Sequence, residues 1–210
     1  MIQSIIFDFD GVVLDSMPVK DKGFELLFAD FDKAAVDSLL EFHRNNGGIS
    51  RFVKIRYMFE KILGKSITEE TVMEYAERYS KLMLAELTDK KYIIPATLDF
   101  IKRHYTHIPM HIASGTEQKE LRYICKCLDL TQYFVSVYGS PRAKNDVVAD
   151  IVEENGYDRY QVAMIGDSRA DYDAAKHCGL IFCGFNGERL RAYSDYYIDD
   201  YAAFEKEYIG

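Results

Sequence analysis

The chain has no tryptophan, and no apolar run approaches the length of a membrane span. No membrane partner is expected on that ground. Positive charge is scarce. Lys and Arg number 26 against 34 Asp and Glu, a formal net charge of −8. Nucleic-acid binders present a basic footprint, so no nucleic-acid partner is expected either. Cysteines are few: Cys125, Cys127, Cys178 and Cys183. Cys125 and Cys127 stand two apart in a helical pattern, where side chains do not face each other. No further pair has zinc-like spacing. The five histidines, His43, His104, His107, His111 and His177, lack the His-Glu-x-x-His spacing of a metal pair. They read as surface or satisfied core residues. The N-terminus enters a strand pattern with no basic and long apolar leader. Four reduced thiols and a cytoplasmic location are the expectation.

What is present suits a sizeable core. Hydrophobic residues make up 48% of 210, and Phe and Tyr together supply the aromatics. Bulk acidity repels an anionic ester, so any phosphate chemistry needs local cations. The length fits one large domain or a domain with a smaller insert.

The chain is organised around Ile5-Ile6-Phe7-Asp8-Phe9-Asp10-Gly11-Val12-Val13-Leu14-Asp15-Ser16. An apolar strand carries two carboxylates two residues apart and breaks at glycine. Residues i and i+2 of a strand point to one side, so Asp8 and Asp10 emerge together at its carboxyl end. Open α/β sheets place their sites there. Two carboxylates so close repel unless a cation or a shared proton intervenes. A hard ion such as magnesium suits them.

From Asp21 to Asn45 the periodicity predicts one helix, with a stripe of Phe24, Leu27, Phe28, Phe31, Ala35, Leu39 and Phe42. A second helix follows Ser50 and ends near Gly64. A third starts at Thr68, with Val72, Tyr75, Tyr79, Leu82 and Leu87 inward. After Pro95 the pattern changes to helices alternating with strands near 107–113, 134–138, 161–165, 180–184 and 195–199. Such alternation indicates a parallel sheet covered on both faces. The predicted class is α/β: a Rossmann-like catalytic core of residues 1–16 and 89–210, with residues 17–88 as an inserted all-helical cap.

The Asp-x-Asp-Gly stretch resembles the first signature of the haloacid dehalogenase-like hydrolase superfamily. Three further matches follow in that family's order. Ser114-Gly115-Thr116 resembles the second, a hydroxyl and backbone amides that bind phosphate oxygens. Lys144 resembles the third-signature lysine, although Asn145 stands where the family commonly has proline. Met164-Ile165-Gly166-Asp167-Ser168 resembles the fourth. The resemblance implies that Asp8 attacks phosphorus and that Asp10 is a general acid and base. It implies that Ser114, Gly115 and Lys144 bind the transferring phosphate. It also implies a magnesium site on Asp8, Asp167 and the Asp10 backbone carbonyl, with Asp171 orienting its neighbours.

Gly47-Gly48-Ile49-Ser50-Arg51 looks like the Gly-Val-Ser-Arg loop of β-phosphoglucomutases, which assigns Arg51 to a remote anionic group of the substrate. Lys54 lies one turn from Arg51 and can share its face. The expected activity is magnesium-dependent hydrolysis of a small phosphorylated metabolite, such as a sugar phosphate. A phosphomutase is the nearest rival, but those mutases carry histidine where this chain has Lys20. A catalytically silent binding protein on the same fold is the alternative of another class. No oligomeric state is predicted.

Overall fold

The computed structural model describes residues 1–210. Six parallel strands form one sheet: β1 (Ser4–Phe7), β2 (Met110–Glu117), β3 (Ser136–Ser140), β4 (Val162–Gly166), β5 (Ile181–Gly184) and β6 (Tyr196–Tyr197). Their order is β3-β2-β1-β4-β5-β6, with every pairing parallel. The fold is thus Rossmann-like. The chain winds one way from β1 through β2 to β3 and the other way from β4. Parallel sheets are buried on both faces, and all four residues of β1 are buried. Ile5 and Phe7 enter the larger core, where Phe7 meets Phe100 and Phe134. Ile6 enters a second core on the other face with Val148 and Met164.

Five helices flank the sheet: α5 (Pro95–His104), α6 (Gln118–Cys127), α7 (Lys144–Glu154), α8 (Arg169–Cys178) and α9 (Tyr201–Tyr208). Four others precede them between β1 and β2: α1 (Met17–Leu27), α2 (Lys33–Asn45), α3 (Arg51–Tyr57) and α4 (Glu69–Leu87). The segments that lead into and out of this four-helix stretch run side by side. Asp15 N donates to Tyr92 O at 2.7 Å, and Ile94 N to Val13 O at 3.0 Å.

The structure corrects several boundaries. The single helix expected over 21–45 is two. Asp32 accepts hydrogen bonds from Ala34 N and Ala35 N and caps a new helix. Apolar periodicity hides the break, because Phe28 and Phe31 both pack inward across it, edge to face. The helix after Ser50 loosens into a π-helical turn over Met58–Ile62. The inner face of α4 is Val72, Ala76, Tyr79, Met83 and Leu87. Leu82 is exposed, one position out of phase with that stripe. Strand β2 starts later than expected and runs through Ser114-Gly115-Thr116 instead of turning there, with a register shift against β3.

One close approach seats the loop of residues 47–50 on the sheet. A Cβ on Gly115 would lie 2.6 Å from the Gly48 carbonyl oxygen. A Cβ on Gly48 would lie 2.5 Å from Ser168 Oγ. Neither position has room for a side chain.

Candidate active site

The carboxyl ends of β1 and β4 lie side by side, and each delivers an aspartate. Asp8 follows β1 and continues its ladder through Asp8 N to Ile165 O at 2.8 Å. Asp167 follows β4. Asp171, in the first turn of α8, belongs to a capping box with Ser168. Its Oδ2 accepts from Ser168 N at 3.0 Å and from Ser168 Oγ at 2.6 Å. Asp8, Asp167 and Asp171 each present an oxygen within 4.8 Å of the others. Lys144, at the start of α7, places Nζ 3.0 Å from Asp8 Oδ1 and against Asp171 Oδ1.

One lysine does not neutralise three carboxylates. Burial pushes the Asp8 carboxyl up to about 7, the Asp171 charge adds to that, and Lys144 opposes it. Burial and the charges of Asp8 and Asp171 push Asp167 well above the usual carboxylate range. Burial disfavours the Lys144 ammonium, but Asp171 and Asp8 more than reverse this and hold it charged. An all-oxygen donor set with surplus negative charge fits a hard divalent cation. Gly11 makes room for the Asp167 carboxylate, with φ of +78° and the Asp167 Oδ2 2.0 Å from where a Cβ would sit.

Asp10 is buried near Asp8, yet its carboxylate stands outside that group of three. Oδ1 accepts from Ser16 Oγ at 2.6 Å. Oδ2 accepts from Thr116 Oγ1 at 2.7 Å and Ser114 Oγ at 3.3 Å, and Lys20 Nζ lies 2.6 Å from it. Lys20 also donates to Thr116 Oγ1 at 2.8 Å. Burial alone would raise the Asp10 carboxyl. The Lys20 charge and the hydrogen bonds from Lys20, Ser16 and Thr116 outweigh it and hold the group well below the usual range. With both side-chain oxygens so engaged, the main-chain carbonyl is what Asp10 has to offer a cation.

A small cavity of about 20 Å³ lies between the four-helix stretch and the sheet, and Asp10, Lys20, His43, Arg51, Lys54 and Thr116 all line it. Arg51 does not offer it a free fork. Both terminal nitrogens bond the Glu120 carboxylate of α6, Nη1 to Oε2 at 2.7 Å, and Nη1 also donates to Ser80 Oγ at 2.6 Å. The guanidinium lies over the Tyr79 ring, 4.9 Å from its centroid. The remote anion contact expected of Arg51 is therefore taken by Glu120 in this structure. Lys54 has a different setting. Its Nζ lies 2.7 Å from His43 Nδ1 and 3.4 Å from the Gly47 carbonyl.

Sequence reasoning placed Asp8, Asp10, Ser114, Gly115, Lys144 and Asp167, and the fold gathers all six at one end of the sheet. It took Thr116 only as part of the Ser114-Gly115-Thr116 stretch and His43 as a surface or satisfied core residue, did not single out Glu120, and gave Lys20 no contact. His43 alone carries a local signal. It occupies the inward phase of α2 after Val36, Leu39 and Leu40, where an apolar residue would be routine.

Comparisons with known proteins agree on a family. Residues 5–185 match the haloacid dehalogenase-like hydrolase family. A phosphorylated carbohydrates phosphatase of Thermotoga maritima is 25% identical over 185 residues, covering 85% of this chain and 82% of that protein. A phosphoglycolate phosphatase of Mesorhizobium japonicum is 27% identical over 189 residues, covering 84% and 79%. Among solved structures, a β-phosphoglucomutase from Clostridium difficile superposes with a TM-score of 0.79 at 18% identity, covering 100% of this chain and 96% of that one. A match of this extent, on a sheet whose strand ends carry the aspartates described above, makes the chain a member of the haloacid dehalogenase-like hydrolase family.

Proposed function

We propose that this protein is a magnesium-dependent phosphatase acting on a small phosphorylated metabolite in the cytoplasm. The observation that carries the reading is the meeting of Asp8, Asp167, Asp171 and Lys144 at the switch point of the sheet. Asp8 is the nucleophile. It attacks phosphorus, the ester oxygen leaves with a proton from Asp10, and the phosphoryl group stays on Asp8. Water then gives a proton to Asp10 and attacks phosphorus, releasing phosphate and restoring the Asp8 carboxylate. Lys144, Ser114 and the Gly115 amide hold the phosphate oxygens, and Asp171 orients Lys144. Asp8, Asp167 and the Asp10 carbonyl would hold the magnesium ion, which supplies charge neutralisation for the transferring group.

Residues 1–16 and 89–210 act as the catalytic core, and residues 17–88 as a helical cap. The paired segments at 13–15 and 92–94 are its hinge. Lys20 belongs to the cap and bonds Asp10. The second step needs Asp10 ionised, as Lys20 holds it. The first needs it protonated, so the Lys20 contact must be loosened before the first step and re-formed before the second.

The names of the relatives put phosphorylated carbohydrates and phosphoglycolate first among substrates to try. Phosphate release from a panel of such esters, with and without magnesium, tests the reading. Magnesium-dependent release supports it, and full release in excess chelator contradicts it. A phosphomutase is the second reading, favoured by the Gly47–Arg51 loop. A sugar monophosphate turned into its isomer without free phosphate would establish that reading instead.

A further inference from the structure

Three cations face the cavity between the cap helices and the sheet. Lys20 is 2.6 Å from the Asp10 carboxylate. Arg51 is paired with Glu120 through both terminal nitrogens. Lys54 alone has no carboxylate partner, although it is only 3% exposed. Its two contacts are the neutral His43 ring, 2.7 Å away, and the Gly47 carbonyl.

The residues behind Lys54 are arranged to aim it. Burial, with the Lys54 and Lys20 charges adding, pushes the His43 ring down to about 2, so it stays neutral. A lysine ammonium can only donate, so His43 Nδ1 accepts and Nε2 carries the hydrogen. That Nε2 lies 3.4 Å from Asp21 Oδ1 without forming a hydrogen bond, and neither buried atom has any other partner. Asp21 is anchored in turn by Arg44 Nε at 2.7 Å. The buried His43 ring thus holds the amine from its rear. A buried ammonium without a counter-ion is costly. Burial, with the Lys20 charge adding, lowers Lys54 to about 7, and an arriving anion would restore its charge.

We infer that Lys54 determines specificity, by pairing with a single carboxylate that the substrate carries remote from its phosphate. The inference rests on the phosphatase reading and narrows its substrate class. Arg51 and Lys20 are each matched one for one by Glu120 and Asp10, so one unmatched cation remains for one negative charge. A neutral polyol tail would leave that ammonium without a counter-ion. A short phosphorylated hydroxy acid supplies it.

The test uses esters matched except at the tail: phosphoglycolate against 2-hydroxyethyl phosphate, and 3-phosphoglycerate against glycerol 3-phosphate. Wild type should favour the acid of each pair in kcat/KM. Lys54→Met should cut that preference by roughly ten-fold or more, mostly through KM, with a smaller change on the alcohols. Lys54→Arg should retain part of it. A wild-type preference for the alcohols, or an equal loss on acids and alcohols in Lys54→Met, overturns the inference. If folded wild type releases phosphate from none of these or other esters, the phosphatase reading fails instead. The same four compounds are then titrated calorimetrically. Tighter binding of the acids that Lys54→Met abolishes upholds the Lys54 contact, and equal binding of acids and alcohols overturns it.

Discussion

Arg51 of α3 and Glu120 of α6 form a two-pronged ion pair, 4% exposed on each side, across the junction of the four-helix stretch and the sheet. Residues 69 apart in sequence thereby tie the four-helix stretch to α6. Burial raises the Glu120 carboxyl, but the hydrogen bond and charge of Arg51 prevail and hold it low. Removing one member leaves a buried charge unpaired, a loss of about 3–5 kcal/mol. Arg51→Met and Glu120→Gln should each lose stability on that scale in urea unfolding. The double variant should lose clearly less than the sum. Strict additivity would show that the pair does not couple α3 to α6.

The carboxylates around Asp8 repel one another, and Lys144 offsets only part of their charge. Magnesium should therefore raise the melting temperature of the wild type, by linkage to binding. Asp167→Ala removes one of three anionic groups. It should melt higher than wild type without magnesium, and gain much less when the ion is added. An undiminished magnesium shift in Asp167→Ala would place the ion elsewhere.

His43 gives stability an acid limb. Its folded pKa of about 2 lies below the ordinary 6.5, because burial and the neighbouring ammonium groups disfavour the imidazolium. Between those values the unfolded chain binds a proton that the folded chain refuses. Stability is then full above pH 6.5 and falls as the pH drops, by at most ~1.4 kcal/mol per pH unit from this group. His43→Gln keeps an acceptor for Lys54 and cannot titrate. Its unfolding free energy should fall less than that of wild type between pH 7 and pH 5. Parallel curves would mean that His43 is protonated in the folded protein.

The parts of the site that were legible in the sequence are those encoded locally. Asp8 and Asp10 sit at a strand end that an apolar run announces, and Asp167 sits at another. Lys144 begins a helix that follows such a strand. The parts that were not legible depend on partners brought together by the fold. Lys20 and Thr116 meet across 96 residues, and nothing near either one signals the other. Glu120 lies in the first turn of α6, where an acidic residue is ordinary. Its real partner is on α3. The split at Asp32 was hidden for the opposite reason: the apolar stripe continues through it, while one side chain caps a new helix.

The central claim is that Asp8 carries the phosphoryl group. Wild-type protein turning over its best ester with magnesium can be quenched in acid and treated with borohydride, which reduces an acyl phosphate to an alcohol. Peptide mass spectrometry then reads each aspartate. The account predicts homoserine at position 8, dependent on both ester and magnesium and absent from Asp8→Asn, which should also release no phosphate. Steady phosphate release with Asp8 unmodified and Asp10 reduced, or near-normal release by Asp8→Asn, would contradict it.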